Sequence, residues 1–299
     1  MRSEPLSISV LGVLQLATAL LSPLPLEFRN TPAQWAYLSY DNPSFAVIPG
    51  HFNRSAFVSQ TDSVTSDPEV TKAHNETASL NKIIPDTLEK TTLLNNFYGL
   101  PFQGLNDLDI DPEGNFWITD DHYGWGRGVV NFTPPLLSTV YFVNGTTMRP
   151  RPFHVTTYQA NGVAFSKGGD GKGTIYISNT GAVSPDKSHA EHPYRPRTIE
   201  AYDVSYPGAL TSSSRLVSVP ISFVYDGVRA SRNGWIFAGA GNGVDVLDPE
   251  TGLALGTIRV GGGNYVAVNT ALGENELWIV GAGGVWHVTG IRETLARDF

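Results

Sequence analysis

The chain has 299 residues, is 41% hydrophobic and carries 31 Gly, 20 Pro and no Cys. It is long enough to bury a sizeable core in one domain. Lacking thiols, it can be neither a disulfide scaffold nor a thiolate metal protein. The formal net charge of -8 and the sequence pI near 5.3, with no run of Lys or Arg, argue against nucleic acid as a partner.

From the N-terminus, Met1-Arg2 is followed by an apolar stretch from Leu6 to Leu21 and then by Pro23 and Pro25. This is the layout of a signal peptide over residues 1–22, with 23–299 left as a single domain. Spanning a bilayer takes about 20 continuous apolar residues, and this run is shorter and broken by serines. No membrane contact is therefore expected after cleavage. Four Asn-x-Ser/Thr sequons, at Asn53, Asn75, Asn131 and Asn144, are the expected glycosylation sites of a secreted protein. Trp35 to Leu38, Phe45 to Ile48 and Ala56 to Val58 read as strands, whereas Thr61 to Asn81 is polar and rich in Ser and Thr. Asp86 to Asn95 fits a short helical turn as well as it fits loop and strand.

Beyond residue 100 a hairpin grammar repeats: Asn or Asp, alternating apolar residues, a Gly-bearing turn, then a strand of aromatic and β-branched residues. The four copies are Asn106 to Asp120, Asn161 to Ser178, Asp226 to Ala238 and Asn264 to Val280; Gly243 to Leu247 and Gly284 to Val288 add further strands. The leading polar residues lie 55, 65 and 38 positions apart, bracketing the roughly 40 to 50 residues of a four-stranded propeller blade. In a radial array all four would share one end of the innermost strands and face the axis. A sandwich or jelly roll is the alternative all-β arrangement. Trp117, Trp235, Trp278 and Trp286 fall at repeat-equivalent places and are expected to pack between blades. His189 and His192, in a Pro-bounded loop, lack the helical frame of a zinc pair. The Gly-rich segments 168–173 and 239–243 are hairpin turns, because neither leads into a helix or a Gly-Lys-Ser/Thr. No Gly-x-Ser-x-Gly elbow and no His-Glu-x-x-His occurs, so serine-hydrolase and zincin chemistry lack support.

The stretch Leu93 to Phe102, the Asn106 hairpin ending Thr119-Asp120 with His122-Tyr123-Gly124 after it, the Asn161-Gly162 hairpin ending Asn179 to Ala182, and Asp226-Gly227 with its Gly-rich strand pair together carry a family resemblance. Over about residues 93 to 290 the chain resembles the senescence-marker/gluconolactonase-like family, and more closely its fungal lactonohydrolase branch. The resemblance implies a six-bladed β-propeller with an axial divalent cation, usually calcium, and hydrolysis of a lactone or small ester. It implies that Asn161 and Asp226 hold the metal, that Asp226 is also a candidate proton acceptor, and that Asn106 orients substrate or water. Asp107, Asp120, Asp121 and His122 are candidate acid, base or substrate-facing groups at the pocket mouth. Hard cations take carboxylate and amide oxygens together with water, which suits such a set. The family's first-blade Glu has no counterpart: no Glu lies between Glu27 and Glu69. The first blade is therefore expected to be abbreviated or divergent, and the site to hold one carboxylate where relatives hold two.

Two other functions fit the same residues. One is a propeller that templates cyclisation of a secondary metabolite through pocket shape, without metal, as a pericyclase does. The other is a secreted binding protein without catalysis. The sequence does not fix the oligomeric state. If the leader is used, secreted protein should begin between Ala19 and Glu27 and lose apparent mass on deglycosylation. Full-length, unglycosylated protein held in the cytosol would contradict this.

Overall fold

The computed structural model describes residues 45–49, 56–60 and 78–294, without 85–86, 88, 127–129, 131, 168–171, 183–191, 206–208, 221–222, 261–265 and 283. Within these residues nearly every element is a strand. Alternating Val, Ile, Thr, Tyr and Phe fit a pleated surface whose residues turn to opposite faces by a period of two. Chain order gives β1 (Phe45–Pro49), β2 (Ala56–Gln60), β3 (Ser79–Ile84), β4 (Glu89–Leu94), β5 (Asn96–Phe97), β6 (Leu100–Pro101), β7 (Leu105–Ile110) and β8 (Phe116–Asp120). A single helical turn, α1 (Tyr123–Gly126), precedes β9 (Ser138–Val143), β10 (Pro150–Thr156), β11 (Ala160–Lys167), β12 (Lys172–Asn179), β13 (Thr198–Ser205) and β14 (Ala209–Ser218). The chain continues through β15 (Val228–Ala230), β16 (Ile236–Gly239), β17 (Gly243–Asp248), β18 (Leu253–Arg259), β19 (Val266–Leu272), β20 (Glu276–Ala282) and β21 (Gly284–Thr289).

These strands form four four-stranded antiparallel sheets, β1 to β4, β7 to β10, β11 to β14 and β15 to β18, then a three-stranded sheet, β19 to β21. Each is a meander whose neighbours in sequence are neighbours in space. The protein is an all-β propeller. All four hairpins expected from the sequence are present, as β7–β8, β11–β12, β15–β16 and β19–β20. The segment left open between helix and strand forms β4. The first sheet has its four strands, so its departure from the repeat is one of sequence and not of length.

Four apolar clusters fill the spaces between sheets. Trp117, Val140, Phe153, Val163, Phe165, Ile175 and Ile177 join the second sheet to the third, with Trp117 edge-on to Phe142 and Phe153. Phe237, Val244, Leu272, Leu277, Ile279 and Trp286 join the fourth to the last. Leu80, Leu105, Leu108, Tyr141, Val280 and Val285 share one cluster, which brings the last sheet against the first two. Trp117 and Trp286 are thus packing residues, as expected. Trp235 is not: it is 40% exposed, in the turn ahead of β16. Trp278 lies flat on His287, with ring centroids 4.1 Å apart.

The inner strands carry the feature that sets the site. Leu105 pairs with Asp120 and Leu108 with Ile118, so Asn106 and Asp107 together face Thr119 alone. Ala160 pairs with Asn179 and Val163 with Ile177, so Asn161 and Gly162 face Ser178. Gly239 accepts a hydrogen bond from Asp226 N and donates its own to Gly227 O, both at 2.9 Å, so Asp226 and Gly227 face Gly239. In β19 the extra residue is Val268, between Ala267 and Asn269. Four inner strands therefore carry a β-bulge at one level, the device that re-aims side chains beside active sites.

Inner strands of adjacent sheets do not share a ladder, and side chains bridge them instead. Asp109 Oδ2 accepts the amide of Phe165 at 2.6 Å, and Asp107 Oδ2 that of Val163 at 3.2 Å. Asp107 is also held by Arg229 in a two-pronged ion pair, Nη1 to Oδ2 at 2.8 Å and Nη2 to Oδ1 at 3.0 Å, with both side chains buried. It links sheets 122 residues apart in sequence.

Candidate functional site

The first residues of three bulges are Asn106, Asn161 and Asp226, three of the four that sequence periodicity placed at the axis. Hydrogen bonds from buried hydroxyls connect their bulges. Thr119 Oγ1 donates to Asn161 O at 2.5 Å, and Ser178 Oγ donates to Asp226 O, so each bulge is tied to the next. Asn264, the fourth expected member, lies outside the described residues. The position equivalent to Asn161 and Asp226 belongs to Val268, whose carbonyl faces Gly239 as theirs face Thr119 and Ser178. A Cβ on Gly239 would sit 2.2 Å from that carbonyl, so no side chain fits there.

Asn161 is buried, and its amide is held one-sidedly. Nδ2 donates to Thr180 Oγ1 at 3.3 Å, and that hydroxyl lies 3.2 Å from Tyr123 Oη. The amide oxygen, Oδ1, is buried with no hydrogen-bond partner. An unpaired buried carbonyl is unfavourable by about 1–3 kcal/mol, so a ligand that takes it gains what water gave up. Asp226 is half-buried and contributes a carboxylate in the next bulge. Asn106 donates from Nδ2 to Asp121 Oδ2 at 2.6 Å, while Asp121 Oδ1 accepts the amide of Tyr123 at 2.9 Å. Asp121 is thereby a buried carboxylate in direct contact with Asn106. Amide and carboxylate oxygens are the donor types that a hard cation takes. The charge here is low: β1 reads Phe-Ala-Val-Ile-Pro and supplies no carboxylate. Among the described residues no three His, Asp or Glu side chains cluster as a metal site.

Three of the remaining candidates are engaged by other partners. Both oxygens of Asp107, the second residue of its bulge, are held by Arg229 rather than offered to a substrate. Asp120 turns away to accept the amides of Gln103 at 2.9 Å and Gly104 at 2.7 Å. Burial pushes its carboxyl up from 3.8 to about 7, against the pull of those two amides. His122 is half-buried; its Nε2 donates to Leu136 O at 3.1 Å, its amide donates to Gln159 Oε1, and burial lowers its pKa. It is therefore a neutral imidazole at pH 7 with Nδ1 as its basic nitrogen. Of the sequons, Asn144 occupies the turn after β9, and Asn53, Asn75 and Asn131 lie outside the described residues.

Thr119, Ser178, Asn269 and Arg229 are site-forming residues that the sequence did not single out. Asn269 follows Val268 in the fourth bulge, where its side chain occupies the space that a Cβ on Gly227 would need. A separate cleft of about 520 Å³ lies off the axis, lined by His154, Tyr158, Asn179, Tyr194, Arg195 and Glu200. It shares no residue with the axial group.

The chain is 34% identical over 213 residues to the lactonohydrolase oryL of Aspergillus oryzae, a match covering 67% of this chain and 47% of that protein. A second A. oryzae lactonohydrolase, oryH, is 35% identical over 172 residues, 53% of this chain and 35% of the relative. The chain resembles the fungal lactonohydrolase branch of the gluconolactonase-like family. It spans about half the length, or less, of these curated relatives. No family model matches it. Among solved structures, a gluconolactonase from Xanthomonas campestris superposes with a TM-score of 0.58 at 22% identity, over 73% of this chain and 65% of that one. A luciferin-regenerating enzyme gives 0.58 at 16% identity, over 83% and 78%. These two establish the propeller fold.

The Asp120 carboxyl has a pH signature. The folded protein holds this proton more tightly than the unfolded chain, so Asp120 contributes full stability below pH 3.8 and loses it as pH rises to about 7. Urea unfolding of wild type and Asp120→Asn across that window should show wild type losing stability relative to the variant. A difference that stays flat with pH would contradict the assignment.

Proposed function

We propose that this protein is a metal-dependent hydrolase of a small lactone or ester, exported through residues 1–22, with the axial bulge residues as its site. The observation that carries the reading is the unpartnered Oδ1 of Asn161 one bulge away from the Asp226 carboxylate, in a chain similar to lactonohydrolases. A divalent cation, calcium in the first instance, would be held by Asn161 and Asp226 and would supply Lewis-acid polarisation of the lactone carbonyl. Asp226, half-buried, would also take a proton from water. Asn106, fixed through its Nδ2 by Asp121, orients water or the substrate carbonyl. His122 is neutral and can accept a proton at Nδ1 at the mouth of the site. Six blades for the complete ring belong to the same proposal; an experimental structure of the whole protein would count them.

A metal-free template is favoured by one observation, the lack of any carboxylate in β1. The two readings separate on one variant series. Asp226→Ala should abolish both the rise in melting temperature with calcium and the hydrolysis of aldonolactones and aromatic lactones. Asn106→Ala should lower kcat by about 10²-fold while calcium stabilisation persists. Wild type with neither calcium stabilisation nor hydrolysis across that panel would sink the hydrolase reading and leave the template.

A further inference from the structure

Thr119 and Ser178 hold the same place in successive sheets, each being the single residue that faces a bulge. The two hydroxyls share two bonds, and Thr119 Oγ1 also lies 3.3 Å from Asp107 O. Thr119 Oγ1 accepts the amide of Asp107 at 2.8 Å, the second residue of its own bulge, and donates to Asn161 O, the first residue of the next. Ser178 Oγ accepts the amide of Gly162 at 2.7 Å and donates to Asp226 O. Both side chains are fully buried, so no water competes for these bonds. In the following sheet the place is taken by Gly239, and the relay continues without a hydroxyl: Gly227 N donates directly to Val268 O at 2.9 Å.

A hydroxyl is suited to this role because one oxygen both accepts and donates. Without it, the second bulge residue loses its acceptor and the next bulge's carbonyl its donor, in a buried setting where neither finds a replacement. The carbonyls held in this way belong to Asn161 and Asp226, the two residues of the metal-site reading. We propose that Thr119 and Ser178 are positioning residues: their hydroxyls fix the backbone of Asn161 and Asp226 and so set the spacing of the two oxygen donors that would hold a divalent cation. This rests on the metal-site reading above. Partners that orient ligands typically change metal affinity by 10–100-fold when removed.

The test uses the whole protein, Ser178→Ala and Thr119→Val as deletions, and Ser178→Thr and Thr119→Ser as variants that keep the hydroxyl. Threonine at position 178 has its precedent in Thr119 at the equivalent place. Calcium affinity, read by calorimetry, should fall about tenfold or more in each deletion and recover in each hydroxyl-bearing variant. Thr139→Val serves as a control, because Thr139 Oγ1 donates to Leu137 O, two residues away, and bonds no bulge residue, and it should leave affinity unchanged. Metal-free protein gives an independent reading through amide exchange: Ser178→Ala should speed exchange at Asp226 and Gly227, in the next sheet, and Ser178→Thr should restore it. Deletions that bind calcium like wild type, or that leave exchange at Asp226 and Gly227 unchanged, overturn the proposal. Wild type that binds no calcium refutes the metal site instead, and the exchange result then decides the relay.

Discussion

Placing two inner-strand residues opposite one on the neighbouring strand interrupts a hydrogen-bond ladder, and this chain does so at the same level in four successive sheets. The interruption leaves carbonyls and amides that the sheet's own ladder does not pair. In a buried setting those groups must be matched elsewhere. The neighbouring sheet supplies the match. Thr119 and Ser178 carry it by hydroxyl, and Gly239 by allowing the backbones to meet. The apolar clusters hold the blades together, and this constraint ties the bulges of Asn106, Asn161 and Asp226 in series.

What the bulges leave over is chemically informative. Almost every polar group near the axis is taken: Asp107 by Arg229, Asp109 by the amide of Phe165, Asp121 by Asn106 and Tyr123. Asn161 Oδ1 and Asn269 Nδ2 are exceptions. The Asp107–Arg229 pair is removed from water, where each charge depends on the other. Such pairs contribute little net stability but are strongly unfavourable to break, so they serve to hold one arrangement. The bulge residues thus stand on a rigid floor, and preorganised donors of this kind are what a site for a cation or a developing oxyanion requires.

The hairpins were legible because each repeats a polar lead, an apolar alternation and a Gly turn, and a period of two survives any detail of packing. The strand-end positions of Asn106, Asn161 and Asp226 were legible for the same reason. The fourth lead, Asn264, lies outside the described residues; the place equivalent to Asn161 and Asp226 is held by Val268, because a bulge inserts a residue that periodicity cannot register. Asp107 was indistinguishable from Asn106 without Arg229, which no local pattern links to it. A signal for the hydroxyl relay did exist: Ile118-Thr119-Asp120 and Ile177-Ser178-Asn179 are the same tripeptide grammar at the ends of β8 and β12. Thr and Ser on a strand are so ordinary that only the register reveals their place.

The central claim is that the unpartnered oxygen of Asn161 and the carboxylate of Asp226 belong to one cation. Anomalous diffraction from crystals equilibrated with millimolar calcium, or with a lanthanide in its place, addresses it directly. The account predicts one axial peak about 2.4 Å from Asn161 Oδ1 and from an Asp226 carboxylate oxygen, with waters completing the shell. Crystals in which an ordered water alone satisfies Asn161 and no anomalous peak stands near Asp226 would contradict it.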